Sequence, residues 1–596
     1  MSDQRNLLIA IVLSMVVVFG WQFLVGVPKP PPQPVKQTQT LPTQNAAAPK
    51  PTTAAPSQLA SNVPNNAVPV GTARAAIDTP SLEGSINLTG GRFDDLKLRK
   101  YRETTDPRSP EIVLLSPVAS EHPYFAEFGW LSGQGAQQAT PGPNTPWKVV
   151  QGDKLSPGHD LELSYENGAG LTFTRRLSVD QNYMFTVIDS VENHGSAPVT
   201  LFPYGLVNRQ NLPNTTHYWV VHEGFIGVLG GTLKDPTYAD LAKNNEVQSF
   251  DSQGGWLGIT DKYWMAAAVP PQSEQYSATY KAYDVNNTKA YQADFTMKPR
   301  IVGANGSQSV IYHLFAGAKV VELVNNYSTT LGIQRFDMAV DWGWFAFITK
   351  PMFEAIDFLY RYVGNFGVAI LIFTVFVKLL FYPLANTSYR SMSKMKKLQP
   401  EMERIRERLK DDKVQQQQAL MQLYQKEKVN PVSGCLPMVI QIPVFFSLYK
   451  VLLVTIDMRQ APFFGWVRDL SAPDPTSIFN LFGLIPWMPP QFLMLGVFPI
   501  IMGLTMWLQT NLNPPPADPM QQKIFGFMPL IFTFMLANFP VGLVIYWSWN
   551  NLLSIIQQVV IMRSTGTPVD FIDRLRGITV RLRRGEAPEK PAGPPD

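Results

Sequence analysis

The stretch GVAILIFTVFVKLLFYPL, residues 367–384, is apolar and long enough to enter a lipid bilayer, yet it carries one cation, Lys378. A charge at membrane depth costs about 2.5–3.5 kcal/mol on insertion scales, so it needs a physical explanation. The lysine stem can lie in hydrocarbon while the ammonium reaches the near interface. Alternatively, the ammonium can point into a wet, protein-lined cavity. Position alone leaves both interpretations open.

The chain joins a polar half to an apolar half. Of its 596 residues 45% are hydrophobic and 16% charged, and long uncharged runs begin at about residue 343. Cys435 is the single cysteine, so no intramolecular disulfide can form. The sequence contains no H-E-x-x-H, paired CxxC, G-x-S-x-G or G-x-x-x-x-G-K-[ST] motif. We therefore expect no catalytic residues, no metal, no cofactor and no sequence-specific nucleic-acid binding.

The first apolar run, residues 7–27, has the length of a spanning helix. A cleaved signal peptide would have a shorter apolar core that ends in a small-x-small site. The run ends instead at Val25-Gly26-Val27-Pro28, which predicts an uncleaved transmembrane anchor over residues 1–27. Residues 28–75 are rich in Pro, Gln, Ala and Thr without apolar periodicity, and this composition is typical of a disordered tether.

Residues 76–330 alternate apolar and polar positions between closely spaced turns, with no repeated helix between them. This pattern predicts a large antiparallel β-sandwich domain. The candidate strands are 85–88, 96–99, 171–174, 183–187, 256–259, 263–269, 276–283 and 291–297, the first two joined through Thr89-Gly90-Gly91.

The histidines and acidic residues of this region do not form a recognisable catalytic or metal-binding motif. All six histidines lie here, and His217 and His222 are odd-spaced, so on one strand they would face opposite sides. Asp94 and Asp95 could form a glycosidase pair, although solvated turn residues are the favoured interpretation. A glycan-binding or cell-wall enzyme on a membrane anchor stays open as a competing hypothesis.

Residues 331–365 indicate an amphipathic segment. Aromatic residues cluster before Lys350-Pro351, as they do at membrane–water boundaries. Apolar positions then recur at helical spacing, with Glu354, Asp357 and Arg361 on the other face. We expect this helix to lie in the interface, and a helix packed on the β domain is the alternative.

Residues 366–563 contain five apolar spans, which begin with the Lys378 stretch. The others are 436–456, 492–512 and two within 524–562, which are joined by a turn at 538–542. Residues 478–490, before the third span, are apolar but interrupted by proline.

Residues 388–430 carry eleven Lys and Arg against six Asp and Glu, a net charge of +5. Their apolar stripe has coiled-coil spacing, which predicts a helical hairpin outside the membrane. Residues 564–596 form an Arg-rich tail.

The distribution of Lys and Arg in short loops predicts the orientation of the chain. The +5 hairpin and the Arg-rich tail are expected in the cytoplasm. Counting spans backward places the β domain on the other side and the N-terminus in the cytoplasm.

The predicted spans contain no Asp, Glu or His, which argues against an ion-coupled pump. Uncharged polar residues such as Thr374, Gln441, Gln509 and Asn550 are frequent. They can join helices, or together with Lys378 they can line a groove that attracts a polar or acidic peptide. By depth in its predicted span alone, Lys450 is as good a candidate as Lys378 for the cation of this groove. Its side chain could instead snorkel toward Asp457. A transporter or channel for an anionic solute is the alternative function.

Several ordered motifs carry a family resemblance over about residues 340–563. They are Val429-Asn430-Pro431, Gly434-Cys435-Leu436-Pro437, Gln441-Ile442-Pro443-Val444-Phe445, Asp518-Pro519-Met520-Gln521-Gln522-Lys523, Phe527-Met528-Pro529, Phe539-Pro540-Val541-Gly542-Leu543 and Ser554-Ile555-Ile556-Gln557-Gln558. This set resembles the YidC/Oxa/Alb family of membrane protein insertases. The anchor, tether and outer β domain resemble the Gram-negative bacterial form in architecture.

The resemblance implies a polytopic α-helical membrane protein: an N-terminal anchor, a five-helix insertase core and a large periplasmic β-sandwich. It implies a bacterial inner-membrane insertase and chaperone with both termini cytoplasmic and a groove open to cytoplasm and lipid. The family's functional cation, usually arginine, is Lys378 here, which loses the bidentate fork of arginine. The predicted groove residues are Lys378, Thr374, Gln441, Gln509, Tyr546, Trp547 and Asn550, with Tyr546 and Trp547 in the family's aromatic contact region.

The resemblance also implies partners. Nascent membrane proteins and the lipid bilayer would meet the groove. The hairpin 388–430 and the basic tail would face the ribosome and the targeting machinery, and the Sec translocon would work alongside.

Overall fold

The computed structural model describes most of the β domain and the helical region. The described residues are 73–133, 139–212, 221–243, 245–285, 287–410, 412–427, 429, 436–483, 485, 487, 489–490, 494–513, 519–564 and 566. The predicted anchor, most of the predicted tether, His217, Cys435 and nearly all of the basic tail lie outside these residues.

Twenty strands lie in the described part of residues 74–318. They are β1 (Arg74–Asp78), β2 (Leu82–Asn87), β3 (Arg92–Arg102), β4 (Glu111–Leu115), β5 (Tyr124–Ser132), β6 (Lys148–Gln151), β7 (Lys154–Leu155), β8 (Leu161–Glu166), β9 (Leu171–Val179), β10 (Met184–Asn193), β11 (Val199–Gln210), β12 (Gly224–Leu229), β13 (Thr232–Lys234), β14 (Val247–Gln253), β15 (Trp256–Thr260), β16 (Trp264–Val269), β17 (Gln275–Val285), β18 (Thr288–Met297), β19 (Arg300–Val302) and β20 (Ser307–Ala318).

These strands form two packed sheets. The first has eleven strands in the order β14-β17-β18-β11-β5-β3-β2-β1-β7, with β19 beside β11 and β4 beside β3. The second has nine, β13-β12-β15-β16-β20-β10-β9-β8-β6. Phe93 and Phe185 meet between the sheets at 5.3 Å, as do Phe128 and Tyr312 at 5.2 Å. The pairing is antiparallel except between β1 and β7, so the predicted antiparallel β-rich domain is confirmed.

The predicted strands are present, but two details differ from the sequence prediction. The first strand begins at Arg74, inside the range assigned to the tether, because Arg74 pairs in register with Asn87. Asp94 and Asp95 are not turn residues, since both lie within β3. Asp94 is fully buried and forms an ion pair with Arg74, while Asp95 accepts a hydrogen bond from Ser85. Both carboxylates stabilise the β1–β3 edge.

The β domain also extends beyond residue 330, its predicted end. The short 3-10 helix Phe336–Ala339 places Phe336 against Trp256 at 5.2 Å and Phe315 at 5.4 Å. Ile333, Ala339 and Val340 are buried in the same core. Residues 331–340 therefore pack on the sandwich and do not belong to the interfacial segment.

Ten α-helices are described. They are α1 (Tyr238–Ala242), α2 (Val321–Thr330), α3 (Ala346–Val363), α4 (Phe366–Leu380), α5 (Tyr382–Arg408), α6 (Lys413–Lys426), α7 (Leu436–Val454), α8 (Val497–Leu512), α9 (Pro519–Leu536) and α10 (Val541–Ser564).

The Lys378 stretch is not one continuous helix. It ends as α4 at Leu380, and α5 begins at Tyr382 with Pro383 in its first turn. Proline fits this position because the first turn of a helix needs no N–H donor. Among the described helices, none is alone long and apolar enough to cross a bilayer, whereas α4 and α5 together, bent by 67°, meet that requirement.

The predicted helical hairpin is formed by α5 and α6, and it begins at Tyr382, earlier than the predicted residue 388. Asp412 caps α6 by accepting hydrogen bonds from the amides of Val414 and Gln415, both at 3.0 Å. The Tyr424 hydroxyl lies 3.8 Å from the Met402 sulfur across the pair.

The later apolar blocks form α7 to α10, with shifted boundaries. In the described part of the third predicted span, 492–512, the helix begins at Val497, after Gly496. The helix α9 begins at Pro519, before the predicted residue 524. A Cβ on Gly503 would lie 2.0 Å from the Thr533 Oγ1, so glycine is required where α8 meets α9. Residues 537–540 separate α9 from α10, so the last two residues of the turn predicted at 538–542 already belong to α10.

One buried arginine joins the two sheets. Arg175 on β9 donates to both Asp189 oxygens, at 2.6 and 2.7 Å. It also donates to the carbonyls of Gly91 and Phe128, on the side of the other sheet. Because Arg175 and Asp189 are each 1% exposed, neither can exchange its partner for water.

Replacing Arg175 by leucine should destabilise the β domain by about 3–5 kcal/mol, because Asp189 would remain as a buried, uncompensated charge. Denaturant unfolding of the full-length protein, followed by tryptophan fluorescence, measures this loss. Arg176→Leu is the matched control on the same strand: Arg176 pairs with Asp160 at the surface, so its loss should cost less than about 1 kcal/mol. Equal effects of the two substitutions would contradict this account.

Candidate functional site

Lys378 lies in the last turn of α4 and faces α10. Its Nζ donates a hydrogen bond to the Ser554 Oγ over 2.7 Å. The Ser554 hydroxyl in turn donates to the carbonyl of Asn550, at 2.8 Å. The lysine side chain is half-buried, so its ammonium occupies a polar position between two largely apolar helices.

The polar face of α10 repeats every four residues. Tyr546, Asn550 and Ser554 share this face, and each is at most 4% exposed. Tyr389 from α5 approaches Ser554 with its hydroxyl and packs with Met392 and Ile561. Helices α4, α5 and α10 thus meet around one serine hydroxyl.

Thr374 lies one turn before Lys378 on α4 and is buried. Its hydroxyl donates to the carbonyl of Ile370 at 2.7 Å, so its proton is used within its own helix. Leu371 lies about one turn before Thr374 on α4. Its carbonyl accepts a hydrogen bond from Nε1 of Trp549 on α10, at 3.1 Å. This bond fixes α4 against α10 beside Lys378.

Gln441 and Trp547 lie at the α7 side of α10. The Gln441 side chain interacts with the Tyr546 hydroxyl. Trp547 is half-buried and packs on Phe445 at 4.6 Å and on Phe532 at 5.6 Å. The predicted aromatic contact pair is therefore split: Tyr546 joins the polar face, while Trp547 joins an aromatic cluster with α7 and α9.

Gln509 lies with the contacts that join α8 to α10. Asn551 donates to Thr505 Oγ1 at 3.3 Å, and Gln558 donates to the side chain of Asn513 at 3.1 Å. Gln509 lies one turn after Thr505 on the same face of α8, and four residues before Asn513, which follows the helix. These two hydrogen bonds involve none of the predicted groove residues.

Lys450 has a different environment from Lys378. The sequence suggested that it could reach toward Asp457, but its Nζ pairs with Asp341 at 2.5 Å. Burial alone would raise the pKa of Asp341, but the Lys450 ammonium and the amide of His222 hold that pKa below its usual range. Among the described residues, Lys378 has no carboxylate partner within ion-pair distance, whereas Lys450 has one.

Sequence reasoning missed Ser554 and Tyr389 as site residues. Ser554 could have been found from its four-residue spacing to Asn550 and Tyr546. Tyr389 gave no comparable signal, because it lies within the charged hairpin segment. In the described part of the chain, no three His, Cys, Asp or Glu side chains gather as metal ligands would.

Family models match nearly all of the described chain. The YidC periplasmic domain matches residues 74–355, and the 60Kd inner membrane protein domain matches residues 358–567.

Full-length relatives match at high identity. The membrane protein insertase YidC of Methylobacterium sp. (strain 4-46) is 52% identical over 611 residues, covering 96% of this chain and 97% of the relative. That of Brucella suis biovar 1 is 55% identical over 507 residues, covering 85% and 83%. A solved structure, an active YidC insertase with its first transmembrane domain resolved, aligns at a TM-score of 0.35 and 19% identity, covering 82% of this chain and 93% of that one.

The boundary between the two family models, at residues 355–358, lies within α3. With relatives about half identical along almost the whole chain, this protein belongs to the YidC family of inner-membrane proteins that carry a periplasmic β domain.

Proposed function

We propose that the chain inserts integral membrane proteins into the bacterial inner membrane, and helps them fold, through a polar groove centred on Lys378. One observation carries this proposal. The half-buried Lys378 side chain of α4 lies against the polar face of α10, and its ammonium is bonded to a neutral hydroxyl, that of Ser554. A serine hydroxyl satisfies one hydrogen bond of the ammonium without cancelling its charge. The site therefore keeps its attraction for a polar or acidic segment of a substrate.

The groove would lower the cost of bringing that polar segment part-way into the membrane. Asn550, Tyr546, Gln441 and Thr374 would extend the polar wall from Lys378 along α10, α7 and α4. Apolar residues of the same substrate would partition into lipid, each Leu, Ile, Phe or Val contributing about 0.3–0.6 kcal/mol at the centre of a helix. This partitioning supplies the driving force, so no catalytic residue is required.

The arrangement in the membrane is part of the proposal. Five spans of residues 366–563 would form the core, with the N-terminal anchor, both termini in the cytoplasm and the β domain in the periplasm. Lys and Arg bias in the segment 388–430 and the tail supports this orientation. These cytoplasmic segments would meet the ribosome and the targeting machinery, and the Sec translocon would cooperate with the core.

Lys378→Ala should lower the insertion rate of a small single-span substrate with a short acidic tail by about tenfold, since a hydrogen bond to a charged group contributes about 1.5–3 kcal/mol. Lys378→Arg should be tolerated, because arginine keeps the charge. Insertion is measured by protease protection of the tail in cells depleted of the wild-type protein.

Lys450→Ala is the matched lysine control for this experiment, and we expect it to insert the substrate faster than Lys378→Ala does. A silent Lys378→Ala together with a damaging Lys450→Ala would show that the wrong lysine had been chosen. Solute flux in reconstituted vesicles that Lys378→Glu abolishes would indicate a transporter for an anionic solute instead.

A photocrosslinking residue at position 378 should capture a stalled nascent membrane protein, because a groove residue must touch the substrate during insertion. The same residue at position 450 serves as the control, since that side chain is buried against Asp341. Crosslinks at 378 and few or none at 450 are the expected result. Equal yields at the two positions, or no yield at 378, would contradict the groove.

A further inference from the structure

The outer end of α7 contacts the β domain through a buried ion pair. Lys450 lies four residues before α7 ends at Val454, and it is only 7% exposed. Its Nζ donates to Asp341 Oδ2 at 2.5 Å. Asp341 belongs to the segment that leads out of the β domain, directly after buried Val340. The pair therefore joins two regions of the chain that differ in architecture.

Asp341 also organises the backbone around the lysine. The amide of His222, two residues before β12, donates to Asp341 Oδ2 at 3.2 Å. The amide of Gly343 donates to the other oxygen at 3.1 Å. Gly343 has a φ of 69°, and a Cβ there would lie 3.1 Å from the Lys450 Cε. Glycine at this position lets the loop close over the lysine stem.

A second contact joins the same two regions at a distance from this pair. Arg459, which follows the 3-10 helix Ile456–Met458, donates to the carbonyl of Arg102 at 2.6 Å. Its guanidinium also lies 5.2 Å from the centre of the Trp264 ring. Gln460 donates to the same Arg102 carbonyl at 3.1 Å. The loop after α7 thus rests on the ends of β3 and β16.

We propose that the Lys450–Asp341 pair fastens the β domain to the helical region and holds the whole interface closed, including the Arg459 contact. The physical reason is the difference between buried and exposed polar contacts. Removing one member of a buried pair leaves a charge without compensation, which favours opening toward water. The Arg459 contact is partly exposed, and contacts of that kind are weak when they act alone.

The experiment is hydrogen exchange of the full-length protein in lipid nanodiscs, comparing wild type with Lys450→Met. We expect exchange to become about tenfold faster or more in peptides that cover 100–104 and 458–470, because the interface opens as a unit. Peptides from β9 should exchange as in the wild type, which shows that the β domain stays folded. Lys154→Met is the control, since Lys154 pairs with Asp78 at the surface and should leave all these peptides unchanged.

The double variant Lys450→Met, Asp341→Asn provides an independent test of the same proposal, because it also removes the charge of Asp341. Neutralising the stranded carboxylate should bring exchange at 100–104 and 458–470 back toward the wild-type rate. Faster exchange confined to 221–225 and 340–345 in the single variant would overturn the proposal, because the pair would then act only locally. Faster exchange in β9, an effect of Lys154→Met equal to that of Lys450→Met, or no recovery in the double variant would overturn it as well.

Discussion

An ammonium on an apolar helix must find hydrogen-bond acceptors that water would otherwise supply, and this constraint positions α4 against α10. The Lys378 ammonium finds such an acceptor in the Ser554 hydroxyl, which in turn donates a hydrogen bond to the Asn550 carbonyl. Trp549 also joins the two helices, through the Leu371 carbonyl about two turns before Lys378. Because the acceptors recur every four residues on α10, one helix face supplies the polar surface, and Tyr389 reaches the same serine from α5.

Lys378 and Lys450, the two lysines within the predicted apolar spans, illustrate opposite outcomes of the same constraint. Lys450 is paired with a carboxylate, and two nearby backbone amides donate to the same carboxylate, so the charge of Lys450 is compensated. Lys378 is bonded to a neutral group, and we propose that its charge is therefore available to a substrate. The two lysines thus differ in the chemistry of their partners, a neutral hydroxyl for Lys378 and a carboxylate for Lys450.

Prediction from sequence worked best where a period was strong. The strands of the β domain could be predicted because apolar and polar residues alternate with period two over parts of β9, β10 and β18. Asp94 and Asp95 were misassigned because acidic residues in a strand resemble turn residues until their partners are known, Arg74 for Asp94 and Ser85 for Asp95. The polar residues of the helical region were identified by type, but sequence could not separate Tyr546, on the polar face, from Gln509, beside the α8–α10 contacts.

Periodicity and charge are local properties, so the β-rich domain, the apolar helices, the charged hairpin and the isolated cation at Lys378 could be read from the chain alone. The groups that contact that cation depend on how the helices pack. Ser554 lies 176 residues from Lys378, and Asp341 lies 109 residues from Lys450. Partners so far apart are brought together only by helix and domain packing, and this packing assigned one lysine to a neutral hydroxyl and the other to an acid.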